Sequence, residues 1–531
     1  MSVPSVTPVE LRNLIIGPDE LALIDLREGG TFSESHLLFA ISCPLSRIEV
    51  FIEGLVPLKT VKLVLCASAE DGDMTSLGAT RLSSLGYSDV SILEGGIEGW
   101  KAAGHELFSG VNVPSKAFGE FIETTYKTPH VQGHDIQRMK DNGEDFVILD
   151  SRPYTEYHAM NIPGGIDVPG AELAYRIHDI APDPNTKVVV NCAGRTRSII
   201  GAQSLINAGI PNPVMAIENG TMGWHLAGLK LERGQTRSFS DVSPDAHVIA
   251  LSRAQAVRDR FGVKPVDEQT VLDWKKDASR TTFYLDVRDP SEFNKAHWPG
   301  AKSAPGGQLV QATDKYVGVR RARLVLIDND GVRASMTASW LVQMGWRDVH
   351  IMSGASASFK APKGLAATSL NPSTPSISVD GLAQALDAGN CIVVDMATSL
   401  QYRDKGHIPG SWFAVRSNMP ENLLKIPDAP LLILTSPDGT FAEMALADAL
   451  KSGREVKVLE GGTQAWIDAG KLLEFGFSHM ADGPIDLWYK PYEFDDGDKD
   501  IEQAMEQYLT WEVDLVGQIE RDGTTEFKVF N

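Results

Sequence analysis

Cysteine is scarce in this chain. Only four of its 531 residues are cysteines, namely Cys43, Cys66, Cys192 and Cys391. The four are far apart and form no C-x-x-C pair, which argues against a disulfide framework and against a zinc site built from thiolates. We therefore expect no metal and no other cofactor. The question that remains is whether any one of these thiols is reactive.

Positive charge is also in short supply, since 49 lysines and arginines face 70 aspartates and glutamates. The resulting net charge of -21 repels other polyanions, so we expect neither nucleic acid nor an anionic membrane as a partner. A small anionic substrate is not excluded, because it responds to the local field of its own pocket.

Long hydrophobic runs are absent, and none approaches the roughly 20 residues that span a bilayer. The N-terminal residues also lack a basic stretch followed by an apolar one, so no signal peptide is expected. With 43% hydrophobic residues, the composition still allows proper cores. These features predict a soluble, cytoplasmic protein.

The chain repeats itself four times. An apolar run ending in aspartate recurs at Asp25, Asp150, Asp286 and Asp395. Each copy continues with a second apolar run, a helix-like segment that ends at glycine, and a third short run with a glycine/aromatic signature. Strand-like runs that alternate with helical periodicity are typical of βα units around a parallel sheet. The fold class is therefore α/β, with four tandem domains.

The joints between the repeats set the expected domain bounds. They are residues 1–108, 109–235, 236–370 and 371–475, followed by a tail at 476–531. Linker helices are predicted at 115–127 and at 244–261. The tail carries an acidic run at 493–500, and a helical pattern with an apolar stripe follows at 501–519. We expect this helix to pack onto the body or onto a second subunit, which would make a homodimer.

Cys192 is placed where a strand-like run ends, and in a parallel sheet that edge holds the ligand site. A short loop of small residues lets several N–H groups face one point, and the following helix adds its positive end. Arginines suit oxyanions, and hydroxyls can donate to a thiolate. The predicted nucleophile is Cys192, and the predicted binding loop is Ala193, Gly194, Arg195, Thr196, Arg197 and Ser198.

The other cysteines look less suited to chemistry. A gap-free match of residues 60–66 to 186–192 places Cys66 at the position of Cys192, but its loop is longer and carries three carboxylates and no arginine. Nearby carboxylates raise the pKa of a thiol, so we expect the first domain to be inactive. Cys43 and Cys391 are interpreted as core residues. The third and fourth domains have no cysteine at this strand end and are also expected to be inactive.

These motifs together resemble the rhodanese domain. The resemblance rests on Asp-x-Arg after the first strand, His-x-Pro-Gly, a strand ending in cysteine, and a closing Gly-Gly-x-x-x-Trp, and it covers nearly all of residues 1–475. It implies a sulfurtransferase that moves sulfane sulfur from thiosulfate, through a persulfide on Cys192, to cyanide or a thiol. A 3-mercaptopyruvate donor stays open, as does a persulfide carrier or scaffold with slow turnover.

Loop length separates sulfur chemistry from phosphate chemistry. Cysteine phosphatases, some of which share this fold, use C-x5-R to surround a tetrahedral phosphate. Here the seventh position is Ser198, and the last arginine, Arg197, falls at C-x4-R. The smaller loop favours sulfur transfer over a phosphatase.

Three further residues are expected to support the site. Asp150 and Arg152 form the Asp-x-Arg element, which is interpreted as a buried ion pair or loop tie. Trp224 is expected to pack against the base of the loop or to wall the pocket.

Overall fold

The structure is a computed structural model, and it describes residues 3–361, 370–493 and 501–530. Apart from Glu493, the acidic run of the tail lies outside the described residues. No helix in these three ranges is both long and apolar enough to cross a bilayer.

Four sheets of five parallel strands form the framework, and each sheet is drawn from one of the four predicted domains. Numbering the strands of each domain from one to five, the order across every sheet is 1-5-4-2-3. The strands are β1–β5 (Ser5–Val6, Leu21–Asp25, Ile41–Ser42, Lys62–Cys66, Val90–Leu93), β6–β10 (His130–Val131, Phe146–Asp150, Ile166–Asp167, Lys187–Asn191, Val214–Ile217), β11–β15 (Lys264–Val266, Thr282–Asp286, Lys302–Ser303, Arg323–Ile327, Val349–Met352) and β16–β20 (Ser376–Ile377, Cys391–Asp395, Trp412–Phe413, Leu431–Thr435, Glu455–Leu459).

Helices cover the sheets and link them. The linker helices α6 and α12 lie close to the predicted bounds, and α12 coincides with them. The helices are α1–α5 (Pro8–Ile16, Gly29–Glu34, Ile48–Leu55, Met74–Ser84, Gly96–Ala102), α6–α11 (Val113–Tyr126, Gly133–Asp141, Tyr154–Ala159, Leu173–Ile180, Thr196–Asn207, Gly220–Leu226), α12–α16 (Pro244–Phe261, Glu268–Trp274, Pro290–Lys295, Gly306–Gln311, Val332–Gln343), α17–α21 (Val379–Asp387, Ser399–Lys405, Met419–Lys425, Thr440–Leu450, Gly462–Asp468) and α22 (Ile501–Asp522).

The central strands are continuous apolar runs because both faces of each sheet are covered. In β9, every residue from Val188 to Asn191 is buried, and its neighbours β7 and β10 run parallel to it. The carboxyl ends of β7 and β9 therefore meet at one edge of the sheet, beside the loop that begins at Cys192.

The first three domains share one continuous hydrophobic core, whereas the core of the fourth domain is separate. Trp340 of the third domain shows how the domains join. Its ring meets Phe118 edge-on at 6.0 Å between centroids, and its Nε1 donates to Ser204 Oγ of the second domain at 2.8 Å. The second domain is therefore held between its neighbours.

The tail returns to the body of its own chain, which is one of the two expected arrangements. Before α22, the backbone N–H of Gly30 in the first domain donates to the carbonyl of Ile485 at 2.8 Å. Helix α22 then packs on α6, where Leu515 and Ile519 share a buried cluster with Val113 and Ala117. This places the middle of α22 over the catalytic loop predicted in the second domain.

The packing of α22 predicts a clear stability effect. Leu515 is fully buried, so Leu515→Ala leaves a cavity and lowers the free energy of unfolding by about 2–5 kcal/mol. Val513 on the same helix is 49% exposed, and Val513→Ala changes it by less than about 0.5 kcal/mol. Urea unfolding followed by tryptophan fluorescence measures both, and equal losses for the two variants would contradict this packing.

Candidate active site

Cys192 is the first residue after β9, and three residues separate it from the start of α10. Its side chain is buried, with 2% of its surface exposed. The thiol Sγ donates to the Ser198 hydroxyl at 3.5 Å, and the backbone N–H of Ser198 lies close enough to lower the pKa of the thiol. Within the described residues, none of the N–H groups from 193 to 197 donates to a backbone carbonyl. The loop can therefore direct several donors at one anionic atom.

Helix α11 holds the other side of this loop. The N–H groups of Thr221 and Met222 donate to the carbonyls of Cys192 and Ala193, at 2.8 and 3.0 Å. Gly220 makes this approach possible, since a methyl group there would lie 2.3 Å from the Cys192 carbonyl oxygen. Its φ of 57° is also a conformation that favours glycine. The Gly/aromatic signature of the sequence thus fixes the backbone of the loop.

The third domain shows what the loop does to a negative charge. The residue that follows strand β14 there is Asp328, which stands where Cys192 stands in the second domain. Its carboxylate accepts from the N–H groups of Asn329, Arg333 and Ala334, at 2.8, 2.9 and 3.2 Å. The matching N–H groups in the second domain belong to Ala193, Arg197 and Ser198. This backbone geometry can therefore stabilise an anionic side chain at the strand end.

Arg197 is half-buried near Cys192 and forms a pair with a glutamate. Its two terminal nitrogens lie 3.1 and 2.9 Å from the carboxylate of Glu156, and Nη1 also donates to Gln308 of the third domain. The third domain repeats the pair as Arg333 with Glu292, and Arg333 also lies 3.0 Å from the Asp328 carboxylate. An arginine at this position can therefore contact an anionic atom at the strand end while it remains paired with its glutamate.

Arg195 points to the outside of the loop. Its guanidinium forms a two-point ion pair with Glu120 of α6, at 2.8 and 2.7 Å, and also contacts Glu123. A further bond of 3.2 Å joins it to Asn219. The side chain predicted to bind substrate thus anchors the loop to α6 in this structure.

Burial and neighbouring groups shift the pKa of the Cys192 thiol in opposite directions. Burial raises the pKa of the Cys192 thiol, while the charge of Arg197 and the hydrogen bonds of Ser198 lower it. Burial also acts to raise the pKa of Glu156, but the charge and hydrogen bonds of Arg197 outweigh it and bring that pKa to about 2. Glu156 therefore stays ionised, and Arg197 is the main cationic influence on the thiol.

The match that placed Cys66 at the catalytic position is wrong by one residue. Cys66 is the last residue of β4, where it pairs with Asp25, and in the second domain Asn191 pairs with Asp150 in the same way. The counterpart of Cys192 is therefore Ala67. Burial, and after it the charge of Asp25, raises the pKa of Cys66 well above its ordinary value. The counterpart of Cys192 in the fourth domain is Ser436, because a glycine there approaches the Ser436 backbone as closely as Gly220 approaches that of Cys192.

The remaining sequence-predicted residues lie near the site without lining it. Arg152 makes a buried two-point ion pair with Asp150, at 2.8 and 2.7 Å, and donates to the Met160 carbonyl. Trp224 lies in the hydrophobic cluster on the other face of β9, and its Nε1 donates to the Lys230 carbonyl. Cys43 is fully buried, while Cys391 is half-buried at the start of β17.

Sequence reasoning missed four side chains that surround the loop, namely Lys116, Glu156, Tyr508 and Glu512. Glu156 could have been found, because a glutamate follows the strand-ending aspartate by six residues in both the second and third domains. The other three come from α6 and α22, and only the fold brings them to Cys192.

Comparison with known proteins agrees with this architecture. The family model of the Rhodanese-like domain matches residues 7–103, 134–227, 269–362 and 378–469, so the chain belongs to the rhodanese-like family. It is similar over 100% of both chains to the crystal structure of a thiosulfate sulfurtransferase from Pseudomonas aeruginosa, at 45% identity and a TM-score of 0.95.

Two curated proteins resemble single parts of the chain. The HTH-type transcriptional regulator Rv0324 of Mycobacterium tuberculosis is 32% identical over 107 residues, which are 20% of this chain and 46% of that protein. YrkF of Bacillus subtilis (strain 168), provisionally named a sulfur carrier protein, is 24% identical over 24% of this chain and 72% of its own length. The chain thus spans about half the length of the first of these relatives.

The field of Arg197 predicts a change in thiol reactivity. In Arg197→Met the cation is lost and Glu156 remains, so the pKa of Cys192 rises and its alkylation by iodoacetamide at pH 7.5 slows by about tenfold. Arg233→Met, which alters an exposed arginine of the same domain, leaves the rate as it is. Peptide mass spectrometry after timed alkylation measures Cys192 alone. An unchanged rate in Arg197→Met would show that Arg197 does not act on the thiol.

Proposed function

We propose that this protein is a thiosulfate sulfurtransferase in which Cys192 carries the sulfur as a persulfide. One observation carries the proposal: Cys192 is the cysteine that follows a sheet strand directly, inside a loop whose geometry holds an anion in the third domain. The full-length similarity to a sulfurtransferase supports the same reaction.

The first half-reaction loads the cysteine. The Cys192 thiolate attacks the outer sulfur of thiosulfate and forms a new S–S bond. The S–S bond of the donor breaks, and sulfite leaves with the electron pair. No general base is required, since the thiolate is already the reactive form. In this proposal the N–H groups of Ala193, Arg197 and Ser198 stabilise the persulfide.

Each predicted loop residue then has a defined part. Arg197 supplies the positive field that favours thiolate and persulfide, and Glu156 fixes its orientation. The Ser198 hydroxyl accepts from the neutral Cys192 thiol and itself donates to the Arg195 carbonyl, while Thr196 and Gly194 shape the loop. Arg195 keeps the loop on α6 through its pair with Glu120. Thiosulfate, with two negative charges, suits this field better than 3-mercaptopyruvate does.

The second half-reaction delivers the sulfur. A nucleophilic acceptor, cyanide or a thiolate, attacks the outer sulfur of the persulfide, and the S–S bond to Cys192 breaks. The cysteine returns as a thiolate, ready for another donor. Both substrates are small, which is consistent with a soluble enzyme of the cytoplasm.

A phosphatase is a weaker candidate because of the loop. Its six-position form places Ser198, and not an arginine, where a phosphatase closes the ring around phosphate. The terminal nitrogens of Arg197 instead donate hydrogen bonds to Glu156 and Gln308. The donors that remain are the N–H groups nearest to Cys192, which suit one sulfur atom.

A persulfide carrier is the second candidate, and the similarity to YrkF is the observation that favours it. The two candidates differ in turnover. Rapid thiocyanate formation from thiosulfate and cyanide supports the enzyme, whereas slow release from a stable persulfide supports the carrier.

The assignment of Cys192 leads to a direct test. After thiosulfate treatment the intact protein gains one sulfur atom, and Cys192→Ser gains none and forms no thiocyanate. Cys66→Ser is the matched control, since Cys66 lies one position before the catalytic one. Intact mass spectrometry and a thiocyanate assay measure both. Activity lost only in Cys66→Ser would reverse the assignment.

A further inference from the structure

Two buried, oppositely charged side chains face the Cys192 loop without meeting each other. They are Lys116 of α6 and Glu512 of α22, each 2% exposed. Within the described residues, Lys116 Nζ and Glu512 Oε2 have no hydrogen-bond partner. Burying a charge without a partner is costly, so such atoms mark a place where a ligand completes the contacts.

Glu512 lies directly over the loop. A methyl group on Gly194 would lie 3.0 Å from its Oε2, and its Oε1 is 3.5 Å from the Thr196 hydroxyl. Tyr508, one turn earlier on α22, donates to the same Oε1 at 2.8 Å. Two hydrogen-bond donors thus fix Oε1. Oε2 stays available beside Gly194, which is two residues after Cys192 in the sequence.

Lys116 approaches from the facing helix. It lies on the face of α6 that meets the loop, because three residues later a methyl on Gly119 would touch Thr196 at 2.8 Å. Three aromatic rings surround its ammonium, with centroids at 4.5 Å for Trp511, 4.6 Å for Tyr508 and 5.0 Å for Trp488. Rings stabilise a cation while leaving its hydrogens for an anionic partner.

The ammonium keeps its charge at neutral pH. Burial lowers the pKa of Lys116 to about 8, and the nearby negative charges of Glu512 and Asp314 limit that fall. The pair therefore presents one cation and one anion beside the same loop.

A cavity of about 590 Å³ begins beside the aromatic rings around Lys116. Trp488 and Asn112 line it, together with residues of the first, third and fourth domains and of the tail, whereas Lys116, Glu512 and the Cys192 loop lie outside its lining. Asn112 precedes Lys116 by one turn and its carbonyl accepts the Lys116 N–H at 3.1 Å. A volume of this size is usual for small-molecule sites.

We propose that Lys116 and Glu512 bind the sulfur acceptor and select thiols that carry both a carboxylate and an ammonium group. This proposal rests on the sulfurtransferase function proposed above. The carboxylate of an amino-acid thiol meets Lys116, its ammonium meets Glu512, and its sulfur is brought to the persulfide of Cys192. Cyanide and uncharged thiols can use one or neither of these contacts.

The test uses four small thiols that differ in charged groups, and the full-length protein. Thiosulfate first loads Cys192, and mass spectrometry confirms the persulfide. The rate of sulfur transfer is then measured with L-cysteine, 3-mercaptopropionate, cysteamine and 2-mercaptoethanol, each compared at equal thiolate concentration. The rate relative to 2-mercaptoethanol reports charge recognition in each variant.

The variants are expected to separate the two charges. Lys116→Met lowers the relative rates of L-cysteine and 3-mercaptopropionate by about tenfold, and leaves that of cysteamine. Glu512→Gln lowers the relative rates of L-cysteine and cysteamine by about tenfold, and leaves the relative rate of 3-mercaptopropionate unchanged. Lys116→Arg keeps the preference for a carboxylate. Glu506→Gln, an exposed change on the same helix, keeps the wild-type pattern.

Two results decide against the proposal. If both variants slow all four thiols by one common factor, Lys116 and Glu512 act only on the structure. If wild-type protein shows no preference for L-cysteine, there is no charge recognition to explain. Absence of any persulfide in the wild type would instead overturn the proposed function, so the two failures are distinguishable.

Discussion

The site depends on one interaction, the convergence of backbone N–H groups on the side chain that follows the central strand, which is seen in the third and fourth domains. In the third domain these groups hold the carboxylate of Asp328. In the fourth domain, the N–H of Ala442 donates to the Ser436 hydroxyl at 3.3 Å. The second domain presents the same donors to Cys192. The backbone is thus similar in several copies, and the side chain decides which of them can carry sulfur.

The third domain and the tail contribute to the proposed site in the second domain. Gln308 of the third domain binds Arg197, and Asp314 of the same domain adds its charge near Lys116. The tail supplies Glu512 and Tyr508 from above the loop. The ion pairs of Arg197 and Arg195 are largely shielded from solvent, so removing one partner would leave a half-buried charge unpaired. The second domain cut out alone would lose the contacts that the third domain and the tail make with Arg197 and with the Cys192 loop.

Much of this organisation could be predicted from the sequence because it is local and repeated. The four sheets follow from the repeated apolar runs, and α12 was expected at the bounds it has. The position of Cys66 could not be read correctly, because a strand end is set by pairing with Asp25 and not by the run itself. Lys116, Tyr508 and Glu512 were also missed, since they come from α6 and α22 and only the fold brings them to the loop.

A crystal structure of the protein after treatment with thiosulfate is the most direct test of the persulfide on Cys192. The account predicts one additional sulfur bonded to Cys192 Sγ, within hydrogen-bond distance of the N–H groups of Ala193, Arg197 and Ser198, with the Arg197–Glu156 pair intact. Additional sulfur on another cysteine, or a persulfide turned away from these N–H groups, would contradict it.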